Sequence, residues 1–88
     1  MVQQRTPHPV LARLIGIKLK KARKKKGLTQ AQVAYMLRVS PPRITHTEKG
    51  MSVPHISTLL ALCDIYDIEV SDIISMKEYR EIRKRGLK

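Results

Sequence analysis

Arg43, Thr45, His46 and Lys49 lie in one seven-residue stretch, just after Pro41 and Pro42. Arg43 and His46 carry N–H groups that can donate to guanine O6 or N7. The Thr45 methyl and the Pro42 ring carbons can touch a thymine methyl. Lys49 adds a cation. Other chemistries find no residues to carry them. There is no acid–base pair, nucleophile–histidine arrangement or phosphate-cradling glycine loop, so an enzyme is not expected. His8, His46 and His55 include no i, i+4 pair, and Cys63 is the only cysteine. Neither a metal site nor a cofactor is implied.

The elements that must position these side chains are legible between Thr29 and Gly50, which reads as two short helices joined by a tight turn. Thr29 and Gln32 have the spacing of a capping box, and Leu28 and Val33 that of a hydrophobic staple. Ser40 is expected to cap the second of the pair, with Pro41 at its first position, where a missing N–H costs little. Val39 and Ile44 repeat the staple, and Gly50 closes the helix. With Ile44 turned to the core at zero on a wheel of about 100° per residue, Pro42, His46 and Lys49 fall at about 160°, 200° and 140°. Arg43 and Thr45 flank that outward stripe. Proline cannot donate, so readout at the start of this helix must be steric or apolar.

Charge is one-sided. Residues 1–50 carry twelve Lys or Arg and one acid, Glu48, whereas residues 51–88 carry six of each sign. The whole excess of +11 therefore lies beside the two-helix motif, with a dense run from Lys18 to Lys26, and this implies a polyanionic partner. Lys18, Lys24 and Lys25 are the candidates for phosphate contact. Only three residues are aromatic, all Tyr, which favours double-stranded over single-stranded nucleic acid.

The rest of the chain supplies a frame. Residues 1–9, with two prolines, read as a flexible arm. Residues 10–76 read as one domain, and 77–88 as a basic tail able to form a short helix, with Glu81 and Arg85 spaced to pair. Leu11, Leu14, Ile15, Lys18, Leu19 and Ala22 follow the helical period, with one polar exception, up to Gly27. A fourth helix is expected from about Pro54 to Tyr66, with Ile56, Leu59, Leu60, Cys63 and Tyr66 on one face. Ser71 is expected to cap a short fifth helix from Asp72 to about Met76. The class is all-α. A lone cysteine and the lack of a long apolar run point to the cytoplasm, with no membrane partner.

These residues resemble the Cro/C1-type (XRE-like) helix-turn-helix family. The likeness runs over roughly residues 14–74 and rests on Ile15-Gly16, Lys18-Leu19, Arg23, Gly27-Leu28-Thr29-Gln30, Val33-Ala34, Val39-Ser40, Ile44, Glu48-Lys49-Gly50, Pro54 and Val70 to Ile74. It implies a compact five-helix, lambda repressor-like domain with the third helix in a DNA major groove. It implies phosphate contacts from Gln30 and Ser40, and an ion pair between Arg23 and Glu48. Glu48 is the only acid in the first 50 residues, and an unpaired buried charge is costly, which supports that pair independently. Five positions depart from the family pattern. Arg38 stands where the turn usually carries Gly, a strained position if φ is positive, offset by a phosphate contact. Thr47 replaces a larger apolar residue, so packing under the third helix is thinner. His55 stands where Ser or Thr usually caps the fourth helix. Pro41 and Pro42 occupy positions that often read bases.

The expectation is a sequence-specific, double-stranded-DNA-binding transcription regulator of the phage-repressor or controller kind, acting as a homodimer. Its dimer surface would draw on Ile73, Ile74, Met76, Tyr79 and Ile82. The alternative is an antitoxin or adaptor that uses the same fold mainly to grip a protein partner, docked on the neutral second half.

Overall fold

The computed structural model describes residues 9–85, so the proposed arm, apart from Pro9, and the last three residues lie outside it. The described residues form six helices and no strand: α1 (Pro9–Lys25), α2 (Gln30–Leu37), α3 (Pro41–Glu48), α4 (Ile56–Tyr66), α5 (Val70–Ile73) and α6 (Met76–Lys84). The first five are the expected ones. The sixth is the tail, which forms a docked helix.

α1 is the spine, and α3, α4, α5 and α6 all pack against it. Ile15 and Leu19 of α1 meet Val33 and Ala34 of α2, Ile44 of α3, Leu59, Leu62, Cys63 and Tyr66 of α4, and Ile73 of α5 in one buried cluster. On α4 the core-facing residues are Leu59, Leu62, Cys63 and Tyr66. Ile56 and Leu60, expected on that face, are 59% and 52% exposed. Relative to Leu59 they sit at about 60° and 100° on the wheel, off the arc centred on Leu59 and Tyr66.

The helix starts differ from expectation in three places. α4 begins at Ile56, and its cap is His55, whose Nδ1 accepts from the Ser57 N–H at 3.3 Å. α5 begins at Val70 after Glu69, whose N–H donates to Asp72 Oδ2 at 2.9 Å, so Ser71 lies inside the helix rather than capping it. Met76 belongs to α6, capped by Ser75, which accepts from the Glu78 N–H at 3.2 Å.

Lys18, the polar exception in the apolar period of α1, is half-buried and pairs with Glu78 of α6. That pair, with Ile82 7% exposed, holds α6 on α1; the expected Glu81–Arg85 pair is not among the ion pairs of the described residues. The Lys18 ammonium holds the Glu78 carboxyl below its usual range. Ile73 and Ile82 are thus spent on the monomer core, which removes both from the expected dimer surface.

Candidate nucleic-acid interface

α2 and α3 start by different means. In α2 the capping box is closed: Gln32 N–H donates to Thr29 Oγ1 at 3.0 Å, and Thr29 N–H to Gln32 Oε1 at 2.8 Å. In α3, Ser40 holds the cap position but its side chain makes no capping bond. The reason lies in Pro41 and Pro42, which have no N–H to cap, while the Arg43 N–H bonds to the Ser40 carbonyl at 3.0 Å. The exposed Ser40 hydroxyl is left for an outside acceptor. The prolines also remove the backbone donors that a helix N-terminus ordinarily offers to phosphate.

Between the two helices, Arg38 has φ 59° and ψ 44°, the left-handed region. The turn therefore does need the conformation in which Gly is usual, and Arg38 holds it at a strain of about 1 kcal/mol with its side chain exposed. At the far end of α3, Gly50 has φ 73°, and a Cβ there would come 2.6 Å from Arg13 Cα, so both backbone conformation and space demand glycine.

α3 presents the expected stripe. Ile44 and Glu48 are buried, and Pro42, Arg43, His46 and Lys49 are exposed. Thr45 is half-buried and its hydroxyl donates to Gln30 Oε1 at 2.8 Å, which leaves its methyl and lone pairs for a partner. Thr47, the small residue under α3, turns its hydroxyl back to the Arg43 carbonyl at 3.0 Å. Beside it a cleft of about 150 Å³ opens between α3 and the start of α4, with His46 and His55 among its walls.

Behind the stripe lies a polar network. Arg23 Nε donates to Glu48 Oε2 at 2.7 Å and Arg23 Nη2 to Glu48 Oε1 at 3.1 Å, a two-pronged pair with both side chains under 10% exposed. Arg23 Nη1 reaches the Leu28 carbonyl at 2.8 Å. Gln30 Nε2 donates to Glu48 Oε1 at 2.9 Å. The chain Arg23–Glu48–Gln30–Thr45 thus ties α1 and α2 to α3. The hydrogen bonds that Arg23 donates to Glu48 raise its guanidinium further above the ordinary range. Tyr66 lies close enough to feel both charges, and burial, with a smaller push from Glu48, lifts its phenol to about 12.

Gln30 is therefore a brace for α3 as well as a residue at the start of α2. Its double role was not legible, since nothing in the spacing ties residue 30 to residue 48. Gly16 was equally silent. A Cβ there would stand 2.6 Å from the Thr47 and Glu48 carbonyl oxygens, so α1 and α3 touch backbone to backbone.

That contact orients the lysines. With Gly16 at zero on the wheel, Lys20, Arg13 and Lys24 fall at about 40°, 60° and 80°, beside α3. Lys18, Lys21 and Lys25 fall at about 200°, 140° and 180°, on the far side. Lys24 keeps a place suited to phosphate. Lys18, tied to Glu78, and Lys25 point away from α3, contrary to the sequence-based expectation, because a basic run on a helix is distributed around the whole circumference. Lys20 and Arg13, both exposed, gain a place that the run alone did not assign.

The sequence pattern of a helix-turn-helix domain family matches residues 14–73. No curated protein matches. A crystal structure of the clp gene regulator ClgR from C. glutamicum is similar, with 28% identity and a TM-score of 0.68, over 73% of this chain and 83% of that one. A second ClgR structure, from Corynebacterium glutamicum, shares 25% identity at a TM-score of 0.72, over 91% and 84%.

Proposed function

The chain belongs to this helix-turn-helix family, in the Cro/C1-like group, and from that premise we propose that it is a transcription regulator whose α3 enters the major groove of double-stranded DNA. The observation that carries the proposal is the outward stripe of α3: Arg43, His46 and Lys49 are exposed on a helix whose inner face is pinned by a buried ion pair. Arg43 and His46 are the base donors. Pro42 and the Thr45 methyl supply apolar contacts, and Lys49 reaches a base or phosphate from the end of the helix. Ser40, Arg38 and Lys24 bind phosphate, and Gln30 adds a phosphate contact through what donor capacity its brace leaves. No helix of the described residues is long and apolar enough to cross a membrane.

A domain of this size buries too little surface for tight specific binding alone, so the regulator acts as a homodimer on a two-fold site. The half-sites lie about 34 Å apart, one turn of the duplex. The named function of ClgR, a clp gene regulator, supports the regulatory part of this reading.

The experiment is selection of bound sequences from random duplex DNA. The expected product is a palindrome with half-sites one helical turn apart, whose preference shifts for Arg43→Ala and His46→Ala. A pool that stays random through repeated selection would remove the proposal.

A further inference from the structure

The far side of α1 borders a groove of about 520 Å³ that the reading above leaves without a role. One wall is Lys21 and Lys25 of α1 and Lys26 just beyond its end, with Lys18 also lining the groove. The opposite wall is Asp67, from the α4–α5 connection, and Asp72 of α5. Ala22, Tyr66 and Ile68 floor it, and more of its lining is apolar than polar. Lys18 already has Glu78 as partner, whereas among the described residues no ion pair engages the three wall lysines. Asp67 closes α4 in the left-handed region, with φ 58°.

Lys21 and Lys25 lie at about 140° and 180° from Gly16, on the side of α1 turned away from α3. A duplex fits this groove poorly, since phosphates would meet two aspartates and gain nothing from an apolar floor. The geometry points to a protein ligand: we infer that the groove docks an amphipathic helix of a partner protein, its apolar stripe on Ala22 and Ile68 and an acidic flank against Lys21, Lys25 and Lys26. The aspartate wall makes the fit one-sided, because a segment acidic all round is repelled there. The site is separate from the DNA-reading stripe, and the two can be occupied together. Tyr66 joins them physically, as it floors the groove and lies beside the Arg23–Glu48 pair.

The test uses the full chain and two synthetic helical peptides of equal composition. One has leucines at i, i+3, i+4 and i+7 flanked on one side by glutamates; the other has the same residues scrambled. The striped peptide is expected to bind, with amide chemical-shift changes at Ala22 and Ile68 and none on α3. Lys21→Gln with Lys26→Gln is expected to weaken it at least about tenfold while leaving duplex affinity within about twofold; Lys20→Gln is expected to leave it unchanged. Equal binding of both peptides, shifts centred on α3, or no loss in the double variant would overturn the inference. So would a parallel loss of duplex affinity, which assigns the groove to nucleic acid and leaves the regulatory proposal standing.

Discussion

The two sides of α1 do opposite work with the same helix. On one side Gly16 and Arg23 lock α3 in place, by backbone contact and by a buried ion pair. On the other, Lys21 and Lys25 border an open groove with no ion pair among the described residues. Both sides lie within one basic run, so the count of positive charge said nothing about which side would face DNA. What decides is the smallest residue in the helix. Gly16 sets the contact with α3, and the rotation of every lysine follows from it.

The largest effect should come from breaking the locked side. Glu48→Ala leaves the Arg23 guanidinium buried without its partner, and the expected loss is about 3–5 kcal/mol. A thermal melt checks it; an unchanged midpoint would mean that the pair is ornamental and that α3 is held by packing alone. Gln30 and Thr45 lose their anchor in the same variant, so DNA binding should fall further than the melt accounts for.

Alkaline pH probes the same side next. The Tyr66 phenol titrates at about 12 in the folded chain, above the usual value of 10.0. A raised pKa means that the neutral phenol is favoured by folding. Its stabilisation is complete below pH 10 and is lost as pH rises through 12. The loss approaches about 2–3 kcal/mol for a shift of this size, at 1.36 kcal/mol per pH unit. Denaturant titrations at stepped pH should show it in the natural chain, and Tyr66→Phe should remove that part of the slope.

Gly16→Ala follows. Helix propensity favours alanine by about 1 kcal/mol, but the new Cβ forces α1 off two carbonyl oxygens, and overpacking of this kind costs about 1–3 kcal/mol. The expected net effect is a lower melting temperature. A rise would show that the α1–α3 contact yields easily, and the contrast between the two sides would lose its cause.

The turn reverses the sign. Arg38→Gly relieves the left-handed strain and should stabilise by about 1 kcal/mol while weakening DNA binding through loss of the proposed phosphate contact. A variant that gains stability and keeps its affinity would strip Arg38 of that role.

Much of this was legible because it rests on local rules. The capping box at Thr29 and the outward stripe of α3 follow from spacing and periodicity, whereas the pair of Arg23 with Glu48 came from the family resemblance, with the scarcity of acids in support. Ser40 misled because a capping residue followed by two prolines has nothing to cap. Ile56 and Leu60 misled because a wheel shows which residues share a stripe but not how wide a strip the neighbours cover. The Gln30 brace, the Gly16 contact and the aspartate wall across from Lys21 are long-range, and no single segment carries them. The tail looked marginal from its charge, yet Ile82 and Glu78 find partners on α1, which is information held in a different helix.

The smallest stability effects carry the sharpest test of the two sides. Lys20→Ala with Lys24→Ala, and Lys21→Ala with Lys25→Ala, each remove two exposed charges from α1, and neither should move the melt by more than about 0.5 kcal/mol. Their salt dependence should differ. Each phosphate neutralised contributes about −0.9 to the slope of log affinity against log salt. The first pair sits beside α3, so its removal should flatten the slope by nearly two. The second pair is turned away and should leave the slope almost unchanged. Equal flattening would mean that the duplex wraps past α3 to the far side of α1. In that case the Gly16 contact fixes the pose of α3 but not which lysines meet DNA.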